Sequence, residues 1–208
     1  MCVALKWLML LVVAWVWTLS FGLTASADIV NLALGGDFED KEDLTEWMLR
    51  NEDGSKAEMK IDKTAAAIGR SSLFFEIAEL SGTDGTRPRI GQVQAIANGK
   101  TYTLSAFYKA EEERTASITV QLNAGPWTRF VEKTITIGTE WQEQWASFTA
   151  PQDAEVTIQP TRNTGSDTNY WLDGIRFFEG EYEPYSPDQA VSGAGKIATG
   201  WGAVKTLY

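Results

Sequence analysis

Three short stretches place amide and hydroxyl side chains at every second position. In Ala116–Asn123, Ser117, Thr119, Gln121 and Asn123 alternate with Ile118, Val120 and Leu122. Gln92 and Gln94 alternate with Gly91, Val93 and Ala95, and Thr157 and Gln159 with Val156 and Ile158. Alternate side chains of an extended chain share a face. The apolar set of each stretch is therefore expected to line a core, with the amides gathered on the opposite surface. Planar amides both donate and accept, which suits them to bracketing sugar hydroxyls. The plainer alternative is an ordinary solvated sheet face, where glutamine and threonine are common.

Sugar recognition in water also needs flat apolar faces. Trp127 and Arg129 fall in a Gly125-Pro126-Trp127-Thr128-Arg129 turn, and Arg87 and Arg89 lead into the Gln92 stretch. A tryptophan in such a turn is hard to bury and offers a sugar platform; the competing reading folds it back over an edge. Trp47, Trp141 and Trp145 occur in strand-patterned runs and read as core or half-core. Tyr170 and Trp171 must point to opposite faces, so one of them is in a position to reach the amide surface. A glycosidase would require two carboxylates about 5–9 Å apart. The carboxylates here cluster in turns, as in Glu111–Glu113 and at Glu179, Glu181 and Glu183, and no strand carries a Glu-x-Asp-x-x-Glu spacing.

Other chemistries are excluded by residue type. The 208 residues include no histidine and one cysteine, Cys2. That removes Ser-His-Asp and Cys-His relays, His-based zinc or haem sites and disulfide frameworks. A net charge of −10 argues against nucleic acid as partner. Aromatic residues at 12% with charged residues at 22% describe a globular domain and not an acidic tail.

The elements that must position these residues are strands. Thr101–Tyr108, Ala116–Asn123, Phe130–Ile137, Gln144–Thr149, Glu155–Gln159 and Tyr170–Phe177 alternate and are separated by Gly, Asn and Pro turn formers. Such a series, almost without helical period, predicts an all-β, two-sheet β-sandwich or jelly roll. The one helix-like patch is Lys41–Trp47. Residues 1–27 read as a secretory signal peptide: Lys6, an apolar run from Trp7 to Leu23, then Ala25-Ser26-Ala27 as a cleavage site. Cleavage would leave a secreted chain starting at Asp28; an uncleaved segment would be a membrane anchor. Residues 28–185 read as the sandwich domain, and 186–208, rich in Gly, Ala and Ser, as a C-terminal extension.

Several motifs, in order, resemble the CenC-type carbohydrate-binding modules. They are Asn31-Leu-Ala-Leu-Gly-Gly-Asp-Phe-Glu39 followed by Leu44–Trp47, Gly69-Arg-Ser-Ser72, Ile90-Gly-Gln92, Gly99–Ala110, Trp141 with Phe148, and Tyr170-Trp-Leu-Asp-Gly-Ile175. The Trp141–Phe148 spacing is one residue longer than the family's. The resemblance spans about residues 30–180 and implies a galactose-binding-like jelly roll of the kind attached to polysaccharide-degrading enzymes. It also implies a structural calcium ion joining the N-terminal segment to the closing strand, with Glu39 and Asp173 as ligands and Asp37 as a further candidate. Oxygen donors of this kind suit Ca²⁺. A salt bridge or an edge carboxylate is the competing reading.

The expected function is an exported, noncatalytic module for a polysaccharide or glycan. Its expected contacts are Gln92, Gln94, Gln121, Asn123, Gln159, Trp127, Arg129 and Arg89. A protein-contacting surface module is the second reading and a glycosyl hydrolase the third. Each hydroxyl–amide bond contributes only about 0.5–1.5 kcal/mol net. A dissociation constant of about 10⁻⁵ to 10⁻³ M is expected, with little salt dependence if the contacts are neutral.

Overall fold

The computed structural model describes residues 29–81 and 88–186. The signal segment 1–27, Arg87 and the extension beyond residue 186 lie outside the described residues.

Ten strands form two five-stranded sheets packed face to face. They are β1 (Met48–Arg50), β2 (Lys56–Asp62), β3 (Ser72–Glu79), β4 (Arg89–Ile96), β5 (Thr101–Ala110), β6 (Arg114–Leu122), β7 (Arg129–Ile137), β8 (Gln142–Thr149), β9 (Ala154–Asn163) and β10 (Tyr170–Glu179). One sheet runs β1-β4-β9-β6-β7 and the other β2-β3-β10-β5-β8, with every pair antiparallel. This is the two-sheet sandwich that the alternation predicts. The helix-like patch is one short 3₁₀ segment, Lys41–Glu46.

The inner faces supply the core. Ala116, Ile118 and Val120 of β6 and Val156 and Ile158 of β9 meet Leu104 and Tyr108 of β5, Phe75 of β3 and Tyr170, Leu172 and Phe177 of β10. Two hydroxyls inside this layer are satisfied. Tyr108 donates to the Pro160 carbonyl at 2.6 Å, and Tyr170 bonds the Thr161 hydroxyl at 2.8 Å. Burial pushes the Tyr170 phenol up to about 12, against a smaller opposing pull from the Arg114 guanidinium, and burial drives Tyr108 well above its ordinary value.

The N-terminal segment closes one end of the sandwich. Asn31 donates to the Ile175 carbonyl and accepts from the Phe177 and Ala33 N–H groups. Phe38 is fully buried against Trp47, whose indole donates to the Gly35 carbonyl.

The outer faces of the two sheets differ, and that difference locates the site. The chain leaving β10 runs over the β2-β3-β10-β5-β8 sheet. Tyr182 stacks on Trp145 at 3.8 Å, and Tyr185 meets Phe107 edge-on. Glu143 holds this strap by accepting from the Arg176 guanidinium, the Tyr182 hydroxyl and the Tyr185 N–H. Thr103 and Ser105 of β5 are sealed from solvent although they point outward. The outer face of β1-β4-β9-β6-β7 instead carries an open concavity of about 370 Å³.

Candidate functional site: a groove across five strands

Strand register lays out the floor of this concavity. Arg50, Arg89, Arg162 and Ser117 are mutual partners on β1, β4, β9 and β6. A second row pairs Met48 with Gly91 and Gln159 with Thr119 and then Glu132. A third joins Val93, Thr157, Gln121 and Arg129. Arg50, Glu52, Arg89, Gln121, Trp127, Arg129, Thr157, Gln159 and Arg162 form its lining. Four adjacent strand spacings give a span of about 19 Å.

The structure thus brings five of the eight expected contacts together: Arg89, Gln121, Trp127, Arg129 and Gln159. Asn123 sits beside the groove, where its side-chain oxygen accepts from the Thr157 hydroxyl at 3.0 Å. Gln92 and Gln94 are placed elsewhere. β4 alternates regularly, but with Ile90, Gln92 and Ile96 turned inward, the opposite phase to the one expected, so Val93 and Ala95 face solvent and Gln92 is buried. Gln92 accepts from the Leu34 N–H and donates to the Leu34 and Glu46 carbonyls, tying the N-terminal segment to β4. Gln94 donates to the Gln92 side-chain oxygen. The expectation that both amides face the groove is therefore corrected, and their role here is structural. Gly91, Val93 and Ala95 were too small to fix the phase of this strand, which the buried Ile90 and Ile96 set the other way.

A bulge in β9 supplies residues that alternation missed. β9 continues beyond Gln159, and an extra residue against β4 and β6 puts Gln159 and Arg162, three apart, on the same outer face. Thr161 turns inward to Tyr170. Arg50 escaped notice because β1 is only three residues long. Its register with Arg89 is visible only once the strands are paired.

Trp127 is 56% exposed at the mouth of the groove, with a left-handed backbone (φ 59°). Its N–H donates to the Ala124 carbonyl at 3.1 Å, which holds the turn. A left-handed conformation costs a bulky residue about 1–2 kcal/mol. The ring is offered to solvent despite that cost. Trp171 faces outward on the other sheet, tilted against Phe74 and donating to Asp62, while Tyr170 is fully buried. Neither reaches the groove.

Charge around the floor is organised. Glu52 pairs with Arg89 at 2.8 Å, and Glu132 pairs with both Arg129 (2.6 Å) and Arg162 (3.0 Å). Both carboxylates near the groove thus hold guanidinium groups in place. Gln159 is 3% exposed, and its side-chain oxygen has no hydrogen-bond partner among the described residues; the same is true of the neighbouring Thr119 hydroxyl. Buried polar atoms are nearly always satisfied in folded proteins; these two lie next to each other in the strand register, and Gln159 is part of the groove lining. Gly91 keeps the floor low, since a Cβ there would lie 2.8 Å from the Thr157 methyl carbon.

The three acidic residues expected to bind calcium lie at the far end of the N-terminal segment. Asp173 is fully buried, with one oxygen accepting from the Ala67 and Ile68 N–H groups and the other from Gly174 N–H. Burial pushes its carboxyl up to about 7, which those N–H groups oppose and the Glu39 charge reinforces. Glu39 accepts from the Arg70 and Ser71 N–H groups and pairs with the Arg70 guanidinium. Its carboxyl is held below the usual range chiefly by the Arg70 N–H. The two carboxylates grip the 65–71 loop from both sides. Gly69 is required there, because its φ is +67° and a Cβ would lie 2.2 Å from the Glu39 oxygen. Asp37 is half-buried in the adjoining segment. Among the described residues, no group of three or more acidic, His or Cys side chains gathers as a metal cluster. The donor set is two hard carboxylates, of the kind calcium accepts, and the 65–71 loop meets them with the N–H groups of Ala67, Ile68, Arg70 and Ser71.

Residues 30–169 match the carbohydrate binding domain family CBM_4_9. No curated protein matches the chain. Among solved structures, a CBM4 module has a TM-score of 0.58 at 22% identity, covering 71% of this chain and 99% of that one. The CBM22-1 xylan-binding domain of Paenibacillus barcinonensis Xyn10C has a TM-score of 0.54 at 13% identity, covering 76% and 100%. These likenesses show the shared sandwich fold, and the family match covers most of the described chain: the protein belongs to the carbohydrate binding domain family.

Proposed function

We propose that the protein is an exported, noncatalytic module that binds a polysaccharide chain along the groove of the β1-β4-β9-β6-β7 sheet. The observation that carries this reading is the polar lining of the groove, Gln121, Thr157 and Gln159, with the exposed Trp127 at its mouth. Trp127 offers a face for a sugar's C–H patch. Gln121 and Thr157 bracket hydroxyls beside it, and Gln159 continues the polar lining beyond them. Glu52 and Glu132 are committed to arginines, which favours binding over glycosyl hydrolysis. The polar lining likewise favours a glycan over a protein partner, which would call for a contiguous apolar patch.

Xylan is a sensible first ligand, because a xylan-binding domain shares the fold. Isothermal titration with xylan and β-glucan oligosaccharides tests the reading. Micromolar to millimolar binding that weakens about three- to tenfold in Trp127→Ala and in Gln121→Ala is expected. Unchanged binding in both variants, or retention of a protein partner with no oligosaccharide bound, would overturn it.

A structural calcium ion is proposed alongside. Glu39 and Asp173 would hold it, with Asp37 adjoining, and it would supply positive charge between two carboxylates without entering any reaction.

A further inference from the structure

The groove is rich in positive charge. Four arginines and one glutamate line it, on a chain whose net charge is −10. Three of the arginines, Arg50, Arg89 and Arg162, stand side by side on adjacent strands. Strands are about 4.8 Å apart, and like charges directly opposite one another are destabilising. Glu132 and Glu52 compensate Arg162, Arg129 and Arg89. Arg50, exposed at the open end, has no carboxylate partner among the described residues. The side chains of Arg89 and Arg162 are only 12% and 5% exposed, so their guanidinium groups are held in place rather than waving in solvent.

We propose that the groove selects an acidic glycan, with a uronic-acid carboxylate seated at the Arg50–Arg89 end while the neutral part of the chain crosses Gln159, Thr157 and Gln121 toward Trp127. This rests on the glycan-binding reading above and names the ligand class for the same groove. A guanidinium presents a planar fork that matches a carboxylate with two parallel hydrogen bonds. Arg50 has that fork available, and Arg89 beside it is braced by Glu52. Gln159, part of the groove lining, lies one register row away. A neutral chain would leave the arginine row uncompensated at its exposed end; a uronate relieves it.

The test uses glucuronate-substituted xylo-oligosaccharides, galacturonate hexamers and mannuronate hexamers, each with its carboxyl-methyl ester as a neutral twin of the same shape. Xylohexaose and cellohexaose serve as undecorated controls. Calorimetric titration at low salt is expected to show at least one acid binding about tenfold more tightly than its ester, a gap that closes as salt is raised. Arg50→Gln should lower the acid-to-ester ratio about two- to fivefold with the melting temperature unchanged, and Arg50→Lys should restore part of it. Equal affinity of acid and ester for every chain that binds, or binding of neutral chains alone, would overturn the acidic selectivity and leave glycan binding standing. Failure of every acid, ester and neutral chain to bind would overturn the glycan reading itself.

Discussion

Trp127 and Gln92 behave oppositely from what their residue types suggest. The large aromatic is held outward on a strained backbone, and the amide is buried as a staple. Two predictions follow from that exchange. Trp127→Gly removes the left-handed penalty and should leave thermal stability equal or slightly raised, while weakening oligosaccharide binding about three- to tenfold. A concurrent loss of stability would mean that the ring is a packing residue. Gln92→Ala strands the Leu34 N–H and carbonyl and the Glu46 carbonyl, and should cost about 2–4 kcal/mol in chemical denaturation. A cost below about 1 kcal/mol would contradict the staple.

At the scale of elements, the register irregularities decide which residues reach the groove. Alternation in β6 is regular, and Ser117, Thr119 and Gln121 were legible as one outward face. β9 contains an extra residue, so the same rule could not see Arg162, and in β4 the rule taken in the wrong phase misplaced Gln92 and Gln94. β1, too short to show any period, hid Arg50. Motif order named the fold correctly because a sandwich needs only many alternating strands; a site needs the phase of each strand, which a bulge changes without altering composition. The β9 bulge rests on Tyr108 and Tyr170, whose hydroxyls bond the Pro160 carbonyl and the Thr161 hydroxyl. Folding holds both phenols neutral, with Tyr170 raised to about 12 and Tyr108 raised well above its ordinary value, each by burial. In the unfolded chain they ionise near 10. Their contribution to stability is therefore intact below pH 10 and is lost as pH rises toward 12. Absorbance at 295 nm should show these two ionising together with loss of native circular dichroism; ionisation in a folded chain would contradict the account.

For the whole molecule, the C-terminal strap and the N-terminal segment make the two outer faces unequal. One sheet is covered by Tyr182 and Tyr185; the other keeps an open, arginine-lined groove. The 65–71 loop is fastened by Glu39 and Asp173 at the place where calcium is proposed. An ion that binds only the folded state adds about 2.7 kcal/mol at 100-fold saturation, or about 5–10 °C in melting temperature for a domain of this size. Chelator should remove that increment, and Asp173→Ala should abolish it. A melting curve indifferent to chelator would exclude Glu39 and Asp173 as ligands.

The central claim is that a glycan lies in the β1-β4-β9-β6-β7 groove, and amide chemical-shift mapping of the isotope-labelled protein during oligosaccharide titration tests it most directly. The account predicts that the shifts concentrate at Arg50, Arg89, Gly91, Gln121, Trp127, Thr157 and Gln159, including the Trp127 indole N–H, and leave the strapped sheet around Phe107, Trp145 and Tyr182 unmoved. Shifts centred on the strapped sheet, or on the loops at the ends of the sandwich with the groove silent, would contradict it.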